Sequence, residues 1–302
     1  MITHQALFYR NADQYRASVL GFVRRGLDAG EPVAVAILPS NGKLISECLD
    51  GQRSQVELLD MAELGRNPAR IIPAVQALLD KHSEQPLHYV GEPIWAGRSP
   101  EEIREATRHE ALINVAWPEA PVSVLCPYDV SSLDPSVLAD AEVTHPEVID
   151  GGEVHQSPAY RERHVPANCE QPLADPPGHA VALRFTVGDL ARLRALVTVN
   201  ARAAGVAHDR ISDLVLAVDE LATNAIRHGQ GSGILRLWWT TRHFLCQIED
   251  RGQIEDPLAG RRAPVPDLYT GCGLWIVNQL CDLVEVRSTS AGTTIRVHAE
   301  LS

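Results

Sequence analysis

The sequence predicts an α/β protein in two parts, and three observations carry that expectation. Over roughly the first 140 residues, strand-length apolar runs alternate with helical stretches, the pattern of a mostly parallel sheet flanked by helices. From about Glu142 the periodicity stops and Pro146, Pro158, Pro166, Pro172, Pro176 and Pro177 accumulate around Gly151-Gly152 and Gly178, a density that punctuates regular structure. Beyond it, an amphipathic helix, a strand and a glycine-flanked second helix mark a second α/β domain. The expected boundaries are a domain over 1–141, a linker over 142–179 and a domain over 180–302.

In the first part, Asp13 to Ala29 reads as a helix ended by Gly30, and Glu31 to Leu38 as a buried strand. Leu44 to Leu49 is helical and Gln55 to Leu59 is a short strand. A further helix starts near Pro68 and runs to Lys81, with Pro73 awkwardly inside it. Leu87 to Val90 is a strand. Ser99-Pro100-Glu101-Glu102 is a helix start, with Ser99 as cap and Glu102 three residues on, leading to about Val115; Val122 to Cys126 is the next strand. Ligands of open α/β sheets bind beyond the carboxyl ends of strands. That places a sensory pocket near Glu92, Trp95, His109 and Tyr128; the competing reading is that Trp95 and Tyr128 pack on the sheet while His109 and Glu110 make local hydrogen bonds. Pro39-Ser40-Asn41-Gly42-Lys43-Leu44 lacks the first glycine and the hydroxyl of a phosphate loop, so it is a poor ATP site. His4 and His109 lack a spaced ligand set for a metal or haem.

In the last part, Glu220 and Asn224 sit four residues apart and share one helix face, while Ile211, Leu214, Val218, Leu221 and Ala225 mark the core stripe. A carboxylate and a carboxamide projecting together suit a magnesium–phosphate site, because hard cations take oxygen ligands. Asp250 ends the apolar strand Phe244 to Ile248, and Gly252 lets backbone turn close to a ligand. Gly271 and Gly273 precede a helix whose free N–H groups can hold phosphate oxygens.

Composition sets bounds. A length of 302 residues favours two domains, and 45% hydrophobic content supports real cores. The net charge of −12 argues against direct nucleic-acid binding. No apolar run reaches membrane-spanning length and the first residues are not a leader, so a cytoplasmic protein without a membrane partner is expected. Six scattered cysteines without CxxC pairing read as reduced thiols; Cys246 and Cys281 fit a core, and Cys272 is the one most open to oxidation.

The C-terminal runs resemble the nucleotide-binding boxes of the GHKL ATPase family, the Bergerat fold that includes histidine kinases and gyrase, over residues 180 to 302. The resemblance implies an α/β sandwich, with ATP and Mg2+ as cofactors. By position, Glu220 would be the general base, Asn224 the magnesium ligand and Asp250 the acceptor for the adenine amino group. Gly252 would admit the base, Gly271, Gly273 and Leu274 would form the phosphate-wrapping box, and Thr293 or Thr294 would close the adenine pocket. Ile254 stands where the second box usually continues with glycine or proline, which bears on the tightness of ATP binding and on turnover. Residues 255–262 would begin a lid, with Arg261 and Arg262 either reaching phosphates or lying solvated.

A histidine kinase would carry its phosphoacceptor on a helical hairpin just before this module, and His155, His164 and His179 lie in non-periodic sequence. The module therefore resembles the anti-sigma-factor serine kinases of the RsbW and SpoIIAB type. That resemblance implies a sigma factor or a STAS-type anti-sigma-factor antagonist as partner, and a homodimer. Residues 1 to 145, with His4-Gln5-Ala6-Leu7-Phe8-Tyr9 and Asp60 to Pro68, resemble the DcmR-type sensory (MEDS) domain, which implies an undefined small-molecule signal. Three readings remain: a sensory serine kinase and anti-sigma regulator, a nucleotide-gated binding protein without transfer, and a scaffold that binds partners without ATP.

Overall fold

The computed structural model describes residues 2–49, 51–82, 85–264 and 271–301. The chain divides into two compact units, Met1–Cys169 and Glu170–Ser302.

In the first unit the elements run β1 (Thr3–Tyr9), α1 (Ala12–Asp28), β2 (Val33–Ile37), α2 (Pro39–Ser46), β3 (Val56–Asp60), α3 (Met61–Leu64) and α4 (Ile71–Lys81). They continue with β4 (Leu87–Gly91), α5 (Pro100–Ala116), β5 (Val122–Asp129), α6 (Pro135–Thr144), β6 (Glu147–Asp150) and β7 (Glu153–Gln156). The sheet order is β3-β2-β4-β5-β1-β6-β7, parallel throughout except for the β6–β7 pair. Helix starts follow the sequence signals. Asn11 accepts from the Gln14 amide at the head of α1, and Ser99 and Glu102 form a reciprocal capping box on α5. Pro73 is accommodated because Pro68–Arg70 forms a separate 3₁₀ turn and α4 starts at Ile71. That puts the proline in the first turn, where its missing N–H has no intrahelical partner to lose.

Two findings depart from expectation. First, His4 to Tyr9 forms a central strand, paired on one side with β5 and on the other with β6. Second, the stretch 142–179 is not a plain linker. It completes α6 and supplies β6 and β7, with Val148 and Ile149 opposite Ala6 and Leu7. Gly151 (φ 61°) and Gly152 (φ 89°) make the two-residue turn between those strands, the left-handed geometry hairpins require. Apolar periodicity is lost there because β7 is an exposed edge strand, which polar residues protect from pairing with another chain.

A short helix, α7 (Ala167–Glu170), spans the division. The second unit contains β8 (Val181–Phe185), α8 (Leu190–Ala204), α9 (His208–His228), β9 (Gly233–Trp239), β10 (His243–Asp250), α10 (Cys272–Leu280), β11 (Leu283–Thr289) and β12 (Gly292–Glu300). The strands form one antiparallel sheet in the order β11-β12-β10-β9-β8. Strand alternation sorts the side chains. Phe185, Leu235, Leu237, Phe244, Cys246, Ile248, Ile295 and Val297 form a core with Leu193, Val197, Leu214, Val218, Leu221 and Val277 of the helices. The other face carries Gln247, Glu285, Arg287, Arg296 and His298, buried but paired: Arg296 Nε donates to Gln247 Oε1 at 2.9 Å and His298 Nε2 lies 3.0 Å from Glu285. Residues 170–176 run over that face, held by Arg287 Nε to the Gln171 carbonyl (2.9 Å) and Arg296 Nη2 to the Ala174 carbonyl (2.5 Å). A cavity of about 510 Å³ lies between them, lined by Arg236, Glu249 and Thr294 among others.

Candidate functional site

Helix α9 lays Ile211, Leu214, Val218, Leu221, Ala222 and Ala225 into the core, which turns Glu220 and Asn224 to a half-buried edge. Both converge on Gly273 in the first turn of α10. A Cβ at Gly273 would stand 2.9 Å from Glu220 Oε2, 3.0 Å from Asn224 Nδ2 and 3.4 Å from Asn224 Oδ1. The glycine thus lets the amide end of α10 close against a carboxylate and a carboxamide, a cradle that a side chain at this position would crowd. Its cap residue, Gly271, takes φ 88°, which an L side chain adopts only at a cost. Neither Glu220 nor Asn224 has a side-chain partner among the described residues, so both oxygens are available to a cation or a hydroxyl.

Asp250 lies beyond the C-terminal end of α9. Gly229 caps that helix so closely that a Cβ there would stand 2.5 Å from Asp250 Cβ. Glu220 is nine residues before Gly229, about 13–14 Å along the helix. The Gly252 amide donates to Asp250 Oδ1 at 2.6 Å. Burial pushes the Asp250 pKa up, while the Gly252 hydrogen bond and the nearby His228 pull it down. The turn after Asp250 is fastened by a relay with forced direction. The Ile254 amide donates to Ser288 Oγ (2.8 Å), Ser288 donates to Thr293 Oγ1 (2.8 Å), and Thr293 donates to the Gly252 carbonyl (2.9 Å). Ile254 packs its side chain on the core, so its β-branch braces the turn.

The two candidate threonines separate. Thr293 pairs with Asp250 across the strands and faces the helices. Thr294 pairs with Glu249 and lines the cavity on the opposite face, so it belongs to another surface than Asp250. Leu274 is a core residue under Gly260. Arg261 is buried, and Arg262 is exposed with Asp256 3.8 Å away.

In the first unit, the expected pocket residues go to different neighbours. Glu92 is buried just beyond β4, accepting from Asn41 Nδ2 (2.9 Å) and the Leu38 amide (3.2 Å). Trp95 stacks under the Arg98 guanidinium, 4.1 Å from its ring centre. Tyr128 sits edge-on to His145 at 5.6 Å. His109 is buried, and His4 meets Glu110, its neighbour on α5, instead. The strand-end rule located these segments but not the direction of each side chain.

Burial raises the Glu92 pKa to about 7, against the Asn41 and Leu38 hydrogen bonds that lower it. The folded unit therefore keeps a proton that an unfolded carboxyl of pKa 4.5 gives up. The resulting stabilisation is complete below about 4.5 and is lost as pH rises to about 7. Thermal unfolding of the first unit across that window should show a decline of about 2–3 kcal/mol, and Glu92→Gln should flatten it. An unchanged slope in the variant would assign the proton to another group.

Residues 3–146 match the family model described as MEDS, the MEthanogen/methylotroph, DcmR Sensory domain. Residues 183–299 match the histidine kinase-like ATPase domain. No curated protein matches the chain. Among solved structures, the chain is similar to the RsbU and RsbW domains of Rv1364c from Mycobacterium tuberculosis at 19% identity and TM-score 0.31, over 40% of this chain and 32% of that one. It is also similar to the Acinetobacter baumannii histidine kinase AdeS at 12% identity and TM-score 0.25, over 40% of this chain and 68% of that one. The chain thus spans about a third of the first of these structures. No described helix is long and apolar enough to cross a membrane.

Proposed function

We propose that this chain, a MEDS domain followed by a histidine kinase-like ATPase domain, binds Mg-ATP and phosphorylates a serine of an anti-sigma-factor antagonist under control of its sensory domain. The observation that carries the reading is the convergence of Glu220 and Asn224 on the side-chain-free start of α10. Magnesium, when bound, supplies neutralisation of phosphate charge. Asn224 Oδ1 is the oxygen that would hold it, and Glu220 takes the proton of the attacking hydroxyl. Asp250 accepts from the adenine amino group while the Thr293 relay fixes the turn that carries Gly252. Phosphoryl transfer depends mainly on positioning and electrostatics, so few side chains suffice. The module follows a strand pair and an extended strap rather than a helical hairpin, which favours a protein substrate over an internal histidine.

Calorimetric titration of Mg-ATP into the full-length protein tests the site. The wild type should bind, and Asn224→Ala should bind at least about tenfold more weakly through loss of a charge-assisted contact. Absence of binding in the wild type would overturn the reading and leave a scaffold that acts through partner contacts alone.

A further inference from the structure

Four buried side chains far apart in sequence meet on one face of the N-terminal sheet. His4 on β1 and Cys126 on β5 point the same way, since His4 pairs with Val124 and Ala6 with Cys126. Glu110 comes from α5 and His145 from the residue that ends α6. All four are at most 1% exposed. The ligand atoms lie within 4.8 Å of one another. His4 Nε2 is 3.1 Å and His145 Nε2 3.5 Å from Glu110 Oε2. Cys126 Sγ is 3.3 Å from that oxygen and 3.5 Å from His4 Nε2. Ligands of a tetrahedral zinc, at about 2.0–2.3 Å from the metal, stand roughly 3.3–3.6 Å from each other.

The hydrogen bonds behind the cluster fix which ring nitrogens face it. His145 Nδ1 lies 2.8 Å from the Ala141 carbonyl, which only accepts, so Nδ1 carries the hydrogen. Asn114 Nδ2 donates to the Thr144 carbonyl at 2.8 Å, which leaves Asn114 Oδ1 to accept from His4 Nδ1 at 3.1 Å. With that one hydrogen each, both rings aim bare Nε2 lone pairs at a carboxylate oxygen. Among the described residues, His145 Nε2 and Glu110 Oε1 have no hydrogen-bond partner despite complete burial. Two lone pairs and an anion facing each other repel unless positive charge lies between them. A proton shared by His4 and Glu110 would satisfy one ring and leave the other orphaned. Backing of each ligand imidazole by an acceptor is the usual outer-shell arrangement of a metal site.

We propose that His4 Nε2, Glu110 Oε2, Cys126 Sγ and His145 Nε2 form a closed tetrahedral site for one divalent transition-metal ion, zinc by ligand chemistry. On binding, the Cys126 thiol proton leaves to solvent and a metal–sulfur bond replaces the S–H bond. The thiolate and the carboxylate then cancel the charge of the cation, as burial requires. Four protein ligands leave no open position, so the ion is structural. It clamps α5 and the end of α6 onto β1 and β5. The inference is independent of nucleotide binding in the second unit.

The full-length protein, purified without chelator, should contain about one zinc per chain by elemental mass spectrometry. Expressed in minimal medium with cobalt in place of zinc, it should show a thiolate-to-cobalt charge-transfer band and intense tetrahedral visible bands, both absent in Cys126→Ser. Chelator competition should give a Kd of about 50 nM or tighter, weakened about 10–100-fold by Asn114→Ala, which leaves all four ligands in place. If Cys126→Ser does not fold, the wild-type cobalt spectrum decides alone. Folded wild-type protein with neither stoichiometric zinc nor a cobalt spectrum would overturn the site and leave a buried proton network.

Discussion

Glu220→Ala is expected to lower phosphoryl transfer to a STAS-type antagonist by about 10²–10⁴-fold, the range for loss of a positioned general base, while the Kd for Mg-ATP changes little. The separation follows from the geometry. Glu220 and Asn224 share one face of α9 and both reach the cradle at Gly273; under the proposed function the carboxamide holds the cation and the carboxylate takes the proton. With the carboxylate gone, the attacking hydroxyl would have no acceptor for its proton, while the Asp250 turn keeps its hydrogen bond from the Gly252 amide. Glu220→Gln keeps the shape and removes the base, so it should fall as far as the alanine variant. Radiolabel transfer from ATP to a panel of such antagonists is the measurement. Antagonist phosphorylation unchanged in both variants would remove Glu220 from the chemistry. Binding of Mg-ATP without transfer in the wild type would instead favour a nucleotide-gated binding protein.

What was legible in each unit, and what was not, has a physical basis. The candidate residues around Glu220, Asp250 and Gly273 stand out by local spacing, because one helix face or one strand end brings them together. Alternating apolar runs likewise revealed β2, β3, β4 and β5. Strand β1 did not announce itself, because His4 and Gln5 interrupt its apolar run; their polarity is explained by Glu110 and Glu147, which are distant in sequence. The β6–β7 hairpin hid behind the polar composition of an edge. Thr293 and Thr294 could not be told apart until the register against β10 was known, since a shift of one residue exchanges the faces. The cluster of His4, Glu110, Cys126 and His145 has no sequence spacing at all, because four separate elements deliver its members. His4 and His109 show no spaced ligand set in the sequence, and His4 meets Glu110, the residue after His109 on α5, instead.

Two glycine-to-alanine changes in the second unit should fail in different ways. At Gly252 an added Cβ would stand 2.6 Å from the His228 carbonyl oxygen and 2.9 Å from Asp250 Oδ1. The first of these is backbone at the end of α9, which cannot rotate away, and the turn is fixed on its other side by Thr293. Gly252→Ala must therefore push β10 from α9, a strain of about 1–3 kcal/mol, and should lower the unfolding midpoint as well as Mg-ATP affinity. At Gly273 the nearest atoms are the ends of the Glu220 and Asn224 side chains, at 2.9 and 3.0 Å. Those side chains can swing aside, so Gly273→Ala should leave thermal stability within about 0.5 kcal/mol, the range of changes that disturb neither core nor backbone. With Glu220 and Asn224 displaced from the start of α10, the proposed function predicts that Mg-ATP binding falls at least about tenfold, comparably to Asn224→Ala. Differential scanning calorimetry and Mg-ATP titration on the same two proteins separate the cases. A Gly273→Ala protein that binds Mg-ATP as the wild type does would mean that the cradle between α9 and α10 is not where the phosphates lie. The nucleotide reading of Glu220 and Asn224 would fall with it.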